Sequence, residues 1–172
     1  RARGFSYLGD ASLPSMYLKN LPEKAFEKMN VIDDAIRMEQ YMDFIKNRRF
    51  RNTLLCHNNV TLDKKLTGNT LGELYVSAVI SPVVAIDKVD FSDDKTDVTF
   101  NVLSSGAQFS TGSSVIKAML YALSQVPGKF YSVEEVEKFV LSKNPKFTAD
   151  DINSYVKPNI LDLLFRGVVN IR

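Results

Sequence analysis

The 172-residue chain has one cysteine, one histidine and no tryptophan. A lone cysteine closes no internal disulfide and supplies no thiolate zinc cluster, and a single histidine removes most catalytic triads and zinc sites. Cysteine use this sparse points to a reducing, cytoplasmic compartment. Cys56 and His57 are also adjacent, so in a strand they face opposite sides and cannot act as a nucleophile–base pair. Long apolar runs are missing as well. The longest, from Leu74 to Ile86, contains Ser77, Ser81 and Pro82 and falls short of the ~20 residues a membrane span requires. Glycine is scarce where cofactor chemistry would need it. No two of the eight glycines are separated by a single residue, so neither a dinucleotide fingerprint nor a phosphate loop is present, and Gly68-Asn69 reads as a turn. Finally, neither charge dominates. The 22 Lys and Arg against 20 Asp and Glu give a net charge of +2, without global attraction to nucleic acid or membrane.

What the chain does have is a 45% apolar, 24% charged composition, that of an ordinary globular protein. It opens Arg1-Ala2-Arg3-Gly4-Phe5 without Met and shows no apolar segment of a secretory signal. The expectation is a fragment of a longer polypeptide.

Helical signals begin at Pro22, suited to a first helical position, with Glu23 in the first turn and Asn30 as an interruption. A second helix is predicted over 31–47, with Ile32, Ala35, Ile36, Met38, Met42 and Ile45 at spacings of three and four. Thr53 to Cys56 reads as a short strand and Asn58-Asn59 as a turn. The middle of the chain changes period: 74–80 and 83–91 are rich in β-branched residues, and Val98, Phe100 and Val102 alternate as a half-buried strand does. The polar run 92–97 between them is expected to close a hairpin, with Pro82 at an edge. The last third is helical. One helix carries Ile116, Met119, Leu120 and Leu123 and stops at Pro127-Gly128. A second opens on the capping box of Ser132 and Glu135, and a third opens at Thr148 and contains Pro158, expected to kink or split it. Gly167 ends that helix, and 168–171 reads as a terminal strand.

The predicted fold class is α+β: N-terminal helices with a small antiparallel sheet, followed by a winged-helix-like three-helix unit. The boundary falls in Ser104-Ser105-Gly106, dividing the chain into residues 1–105 and 106–172.

The densest chemistry lies in Lys46-Asn47-Arg48-Arg49-Phe50-Arg51. Guanidinium groups bind carboxylates and phosphates in a bidentate fork, so Arg48, Arg49 and Arg51 are the candidate partner-binding residues. Phe50 implies that the segment packs against something. The same arginines are candidates for internal ion pairs with Asp33, Asp34 or Asp43, or for simple stabilisation of a helix C-terminus. The helical C-terminal unit invites a DNA-binding reading, but its third helix would present Thr148-Ala149-Asp150-Asp151 to the groove, which repels phosphates. A hydrolase using Cys56 or Asp10 as nucleophile has no supporting constellation. The residues therefore indicate no catalytic, cofactor-binding or metal-binding site.

The stretch Met38-Glu39-Gln40-Tyr41-Met42-Asp43-Phe44-Ile45-Lys46-Asn47-Arg48-Arg49-Phe50-Arg51-Asn52-Thr53-Leu54-Leu55-Cys56 resembles the hallmark of the predicted methyltransferase regulatory domain family. Tyr7-Leu8-Gly9-Asp10-Ala11 and Leu74-Tyr75-Val76-Ser77 are similar to weaker blocks of that family. The resemblance implies a region that follows a class I S-adenosylmethionine-dependent methyltransferase domain, in some relatives one acting on protein lysines. It implies a non-catalytic regulatory or substrate-recognition module, without cofactor of its own, that touches the catalytic domain of its parent chain or a protein substrate. The Arg48, Arg49 and Arg51 cluster and the loop near Asp93 are expected to make those contacts, and charge reversal of Arg48 and Arg49 to weaken docking without unfolding the chain. The alternative is a winged-helix nucleic-acid-binding regulator.

Overall fold

The computed structural model describes residues 4–62, 71 and 74–172. The expected Gly68-Asn69 turn lies outside them. The chain divides into two compact units, Arg1–Lys65 and Leu66–Arg172.

The first unit begins with strand β1 (Phe5–Asp10), followed by the short helix α1 (Leu13–Met16), a 3₁₀ turn at Leu18–Asn20, helices α2 (Glu23–Met29) and α3 (Ala35–Ile45), and strand β2 (Thr53–His57). Pro22 and Asn30 flank α2 as its caps. Helix α3 starts later than its apolar spacing suggests, because the Asp34 side chain accepts from the Arg37 N–H and caps it there. It ends in a Schellman motif: the Arg48 N–H donates to the Asp43 carbonyl and the Asn47 N–H to that of Phe44, with Asn47 at φ 47°. Strands β1 and β2 pair antiparallel, with a bulge between Tyr7 and Gly9.

This unit has little core. Among its described residues the buried apolar cluster is Leu21, Met29 and Met42, with Leu18, Ala25, Ile32 and Met38 packed against it. At ~1.5–3 kcal/mol per fully buried side chain, so few contribute modestly.

The second unit contains β3 (Tyr75–Ser77), β4 (Ile80–Pro82), β5 (Val98–Val102), β6 (Ala107–Thr111), α4 (Ser114–Ser124), β7 (Tyr131–Ser132), α5 (Val133–Lys143), α6 (Ala149–Phe165) and β8 (Asn170–Ile171). Two three-stranded antiparallel sheets form, in the orders β4-β5-β6 and β7-β3-β8. Helix α4 is buried nearly all round, and Phe100, Met119, Leu120, Val140, Ile152 and Ile160 are among the side chains it shares a core with or supplies. Both capping boxes are formed: Ser132 with Glu135 and Thr148 with Asp151.

Three expectations are corrected. Ser104-Ser105-Gly106 is not a linker between units but the turn of the β5–β6 hairpin, where Val102 pairs with Ala107 and Gly106 adopts φ 71°; the chain divides after Lys65 instead. Residues 83–91 are not a strand. Only Val83 extends the ladder, through its N–H to the Thr99 carbonyl, and the segment then turns through a 3₁₀ helix at Ile86–Lys88, tied down where the Tyr121 hydroxyl donates to the Val84 carbonyl. Pro158 does not split α6, which runs through it unbroken.

The polar run 92–97 lies in the connection between the antiparallel strands β4 and β5 and also anchors the start of α4. The Asp94 carboxylate accepts from the Ser114 N–H at 2.7 Å, and buried Lys117 donates its Nζ to the Asp93 carbonyl at 2.8 Å. Gly112 permits the close approach, since a Cβ there would sit 3.1 Å from the Asp94 carbonyl oxygen. Hydrogen bonds from Thr96 and Lys95 hold the Asp93 carboxyl down at about 2, and those from Ser114 lower Asp94. A depressed folded pKa stabilises above the unfolded value and loses that contribution as pH falls through the folded one. The denaturation midpoint is therefore expected to be level above pH ~5 and to fall between ~4 and ~2. Asp93→Ala should flatten part of that fall; an unchanged acid slope would show that the loop contributes nothing to it.

Candidate functional site

The predicted arginine cluster folds into a continuous ionic network within the first unit. Helix α3 sets Glu39 and Asp43 one turn apart, at a spacing that places them on the same face. The Schellman turn then reverses the chain, so that Arg48 folds back over the end of the helix it follows. Its Nε donates to Asp43 Oδ1 and its Nη1 to Asp10 Oδ2, both at 2.8 Å. Three residues on, Arg51 donates Nε to Asp43 Oδ2 at 2.6 Å and Nη1 to Glu39 Oε2 at 2.8 Å. The Tyr7 hydroxyl donates to Glu39 as well.

The β1 bulge makes this possible. Tyr7 and Asp10 are three residues apart and would face opposite sides of a regular strand, but the extra residue, Leu8, restores them to one side. Asp10 and Glu39 are only 4% and 5% exposed, and Asp10 also accepts from the Ser12 N–H.

The electrostatics follow from burial and partners. Burial and the bond to Glu39 push the Tyr7 hydroxyl well above its ordinary value, so it stays a neutral donor. Burial alone would lower Arg51, but the Asp43 hydrogen bond and the charges of Asp43 and Glu39 outweigh it and raise it. Lys46, whose Nζ donates to the Ser15 carbonyl, is lowered by burial and then by Arg48. The carboxylates are committed to guanidinium and phenol donors, and the network fastens β1, α3 and the 48–51 segment together.

Of the three predicted contact residues, the structure thus draws Arg48 and Arg51 into this network and leaves Arg49 exposed. Among the expected ionic partners, Asp43 is engaged and Asp34 is occupied as the α3 cap. Phe50, expected to pack, is 87% exposed, and Phe44 on the last turn of α3 is 82% exposed. Phe44 is not singled out in the sequence, where its signal is its position outside the Met38 and Met42 stripe. A shallow hollow beside Phe44 is lined by Gln40, Asp43, Asn47 and Arg48. Phe44, Arg49 and Phe50 are therefore among the exposed side chains of the motif, with Tyr41, Ile45, Leu54 and Leu55. The loop near Asp93, the other expected contact, belongs to the second unit, where it holds the start of α4.

Cys56 is half-buried with its Sγ directed at the Ser6 carbonyl, and His57 is exposed against the Phe5 ring at 4.9 Å. Among the described residues no group of three His, Cys, Asp or Glu side chains is placed to hold a metal ion. None of their helices is long and apolar enough to cross a membrane.

Comparison with known proteins connects this arrangement to a family. The model for the predicted methyltransferase regulatory domain matches residues 1–57, the span that holds β1, α3, the arginine segment and β2. Two uncharacterized proteins of Rickettsia prowazekii (strain Madrid E), RP789 and RP027, are each 30% identical to the chain. The match to RP789 covers 99% of this chain and 31% of that protein, and the match to RP027 covers 76% and 52%. Among solved structures, PKMT2 from Rickettsia typhi is similar over 98% of this chain and 33% of its own, with 34% identity and a TM-score of 0.78. PKMT2 in complex with AdoHcy gives the same identity and coverage with a TM-score of 0.77. The chain thus spans about a third to a half of the length of the relatives it matches. Residues 1–57 are thus similar to the predicted methyltransferase regulatory domain family.

Proposed function

We propose that this chain is a non-catalytic regulatory or substrate-recognition module of an S-adenosylmethionine-dependent methyltransferase that acts on protein lysine, and that it works through contacts with the catalytic domain. One observation carries the reading: the family motif presents Phe44, Arg49 and Phe50 to solvent on a scaffold stiffened by the Arg48 and Arg51 network. Exposed aromatic side chains beside an arginine are the residue types that anchor protein interfaces. The small core of the same unit supports it, since apolar side chains left outside are available to a second surface. The share of each relative that the chain spans supports a place beside further domains.

The three helices and the β7-β3-β8 sheet of the second unit support a winged-helix-like description, used here as a protein scaffold. The acidic first turn of α6, with Asp150 and Asp151, is spent on capping and disfavours phosphate.

The test is a calorimetric titration of the chain into a class I catalytic domain from the same parent protein. Binding is expected for the natural sequence. Arg49→Glu combined with Phe50→Ser should weaken it at least ~10-fold with an unchanged melting transition, the effect of losing about one anchor. Equal binding by the variant would remove the motif from the interface, and the chain binding the methyl donor tightly by itself would overturn the module reading.

A further inference from the structure

The first unit holds a second surface unlike the motif. Helices α2 and α3 border an open groove of about 900 Å³. Its floor is apolar, built from Ala25, Met29, Ile32 and Ile45. On α3 the side chains at 37, 41 and 45 share one stripe, at a helical spacing of four, whereas Met38 and Met42 face the core and Glu39 and Asp43 the ionic network. The groove therefore runs along a third face of α3, beside the core to which its floor residues Ala25, Met29 and Ile32 also belong.

The rim decides the occupant. Lys24 and Lys28 stand on the α2 side, and Arg37 stands on the α3 side with its guanidinium 5.9 Å from the centre of the Tyr41 ring. Two carboxylates also line the groove, Asp33 and Asp34, and Asp34 is engaged as the α3 cap. Capping leaves the Asp34 charge in place, so three cations face two carboxylates across an apolar floor and the rim is net positive by one. A nucleic acid would leave that floor unsatisfied, and a small polar ligand would find no donors on it. An amphipathic helix satisfies both parts: apolar residues three and four apart fill the floor while flanking carboxylates meet the rim. At 1.5 Å per residue, the ~16 Å length of α3 accommodates about three turns of such a helix.

We infer that the α2–α3 groove is a docking site for an acidic amphipathic helix of a protein partner, with Lys24, Lys28 and Arg37 reading its carboxylates and Val31 and Ile45 contacting its apolar stripe. This rests on the reading of the chain as a contact module and names the chemistry of one partner.

The probe is a fluorescein-labelled peptide of about 14 residues, with leucines at i, i+3, i+4 and i+7 and glutamates beside them, titrated with the full chain and read by anisotropy. Saturable binding is expected, at least ~10-fold weaker for the analogue with lysine in place of glutamate. Val31→Asp, at a position 78% exposed, and Lys28→Glu should each weaken the glutamate peptide at least ~10-fold with unchanged melting. Equal binding of both peptides, or indifference to both substitutions, overturns the inference. So does a Val31-dependent dimer in light scattering, which would assign the groove to a second copy, or competition by duplex DNA that Lys28→Glu abolishes. If the peptide fails while the chain still binds its catalytic domain, only the groove is refuted. If the peptide binds while that domain does not, only the module reading is.

Discussion

Arg51→Ala is expected to destabilise the first unit by about 3–5 kcal/mol, the cost of removing one partner from a buried ion pair. The substitution strips Glu39, 5% exposed, of its cation, leaves it facing the Tyr7 hydroxyl alone, and takes one of the two guanidinium groups from Asp43. The unit has little else to offset this, since its buried apolar cluster is three side chains and a partly buried fringe. A loss of this size is comparable to the whole stability of a small unit, so the variant should show native hydrogen exchange in the second unit and near-unprotected amides in residues 4–57. Arg51→Lys should recover only part, because an ammonium is a point charge and cannot span Asp43 and Glu39 as the fork does. Arg49→Ala, at an exposed position, should stay within ~0.5 kcal/mol. If Arg51→Ala and Arg49→Ala behave alike, the network is not what holds the unit together. The same reasoning revises the charge-reversal expectation for the motif: reversing Arg48 would set a carboxylate against Asp10 and Asp43 and disrupt the fold, so docking is tested through Arg49.

The second large effect is in the other unit. Phe100 is fully buried on β5, and its ring meets that of Tyr121 on α4 edge to face, 5.1 Å between centroids at 69°. Tyr121 in turn meets Phe91 at 5.5 Å and donates its hydroxyl to the Val84 carbonyl. Phe100→Ala removes the member that joins the β4-β5-β6 sheet to this aromatic group, and the rigid surroundings leave a cavity behind. The expected cost is about 3–5 kcal/mol, read as faster exchange in 98–102 and 114–124. A change under ~1 kcal/mol would mean that the site collapses freely, which the tight aromatic geometry argues against.

Much of the fold was legible because its signals are local. The capping boxes at Ser132 and Thr148 each lie within four residues of sequence, and the alternation of Val98, Phe100 and Val102 is a property of one strand. What failed was non-local. Strand β1 has no alternation of its own, because the bulge at Leu8 breaks it, and it exists through pairing with β2 more than forty residues on. Residues 83–91 have the composition of a strand, yet no partner extends the ladder beyond Val83, and the side chain of Tyr121 fixes them as a turn. In the arginine motif, Asp43 could be named as a partner because it lies on the adjoining helix. Asp10 could not, since it comes from another element and reaches Arg48 only through the bulge. The exposed state of Phe44 and Phe50 was equally hidden: an aromatic residue beside a helix end reads as core until the packing shows that nothing in its unit covers it.

The most direct check of the module reading is the rate of methyl transfer by the parent catalytic domain as this chain is added. A saturable change in rate is expected, with the midpoint displaced at least ~10-fold for the Arg49→Glu, Phe50→Ser double variant while its melting transition stays in place. A rate indifferent to the chain at every concentration, or an identical titration by the variant, would contradict a contact module built on that motif.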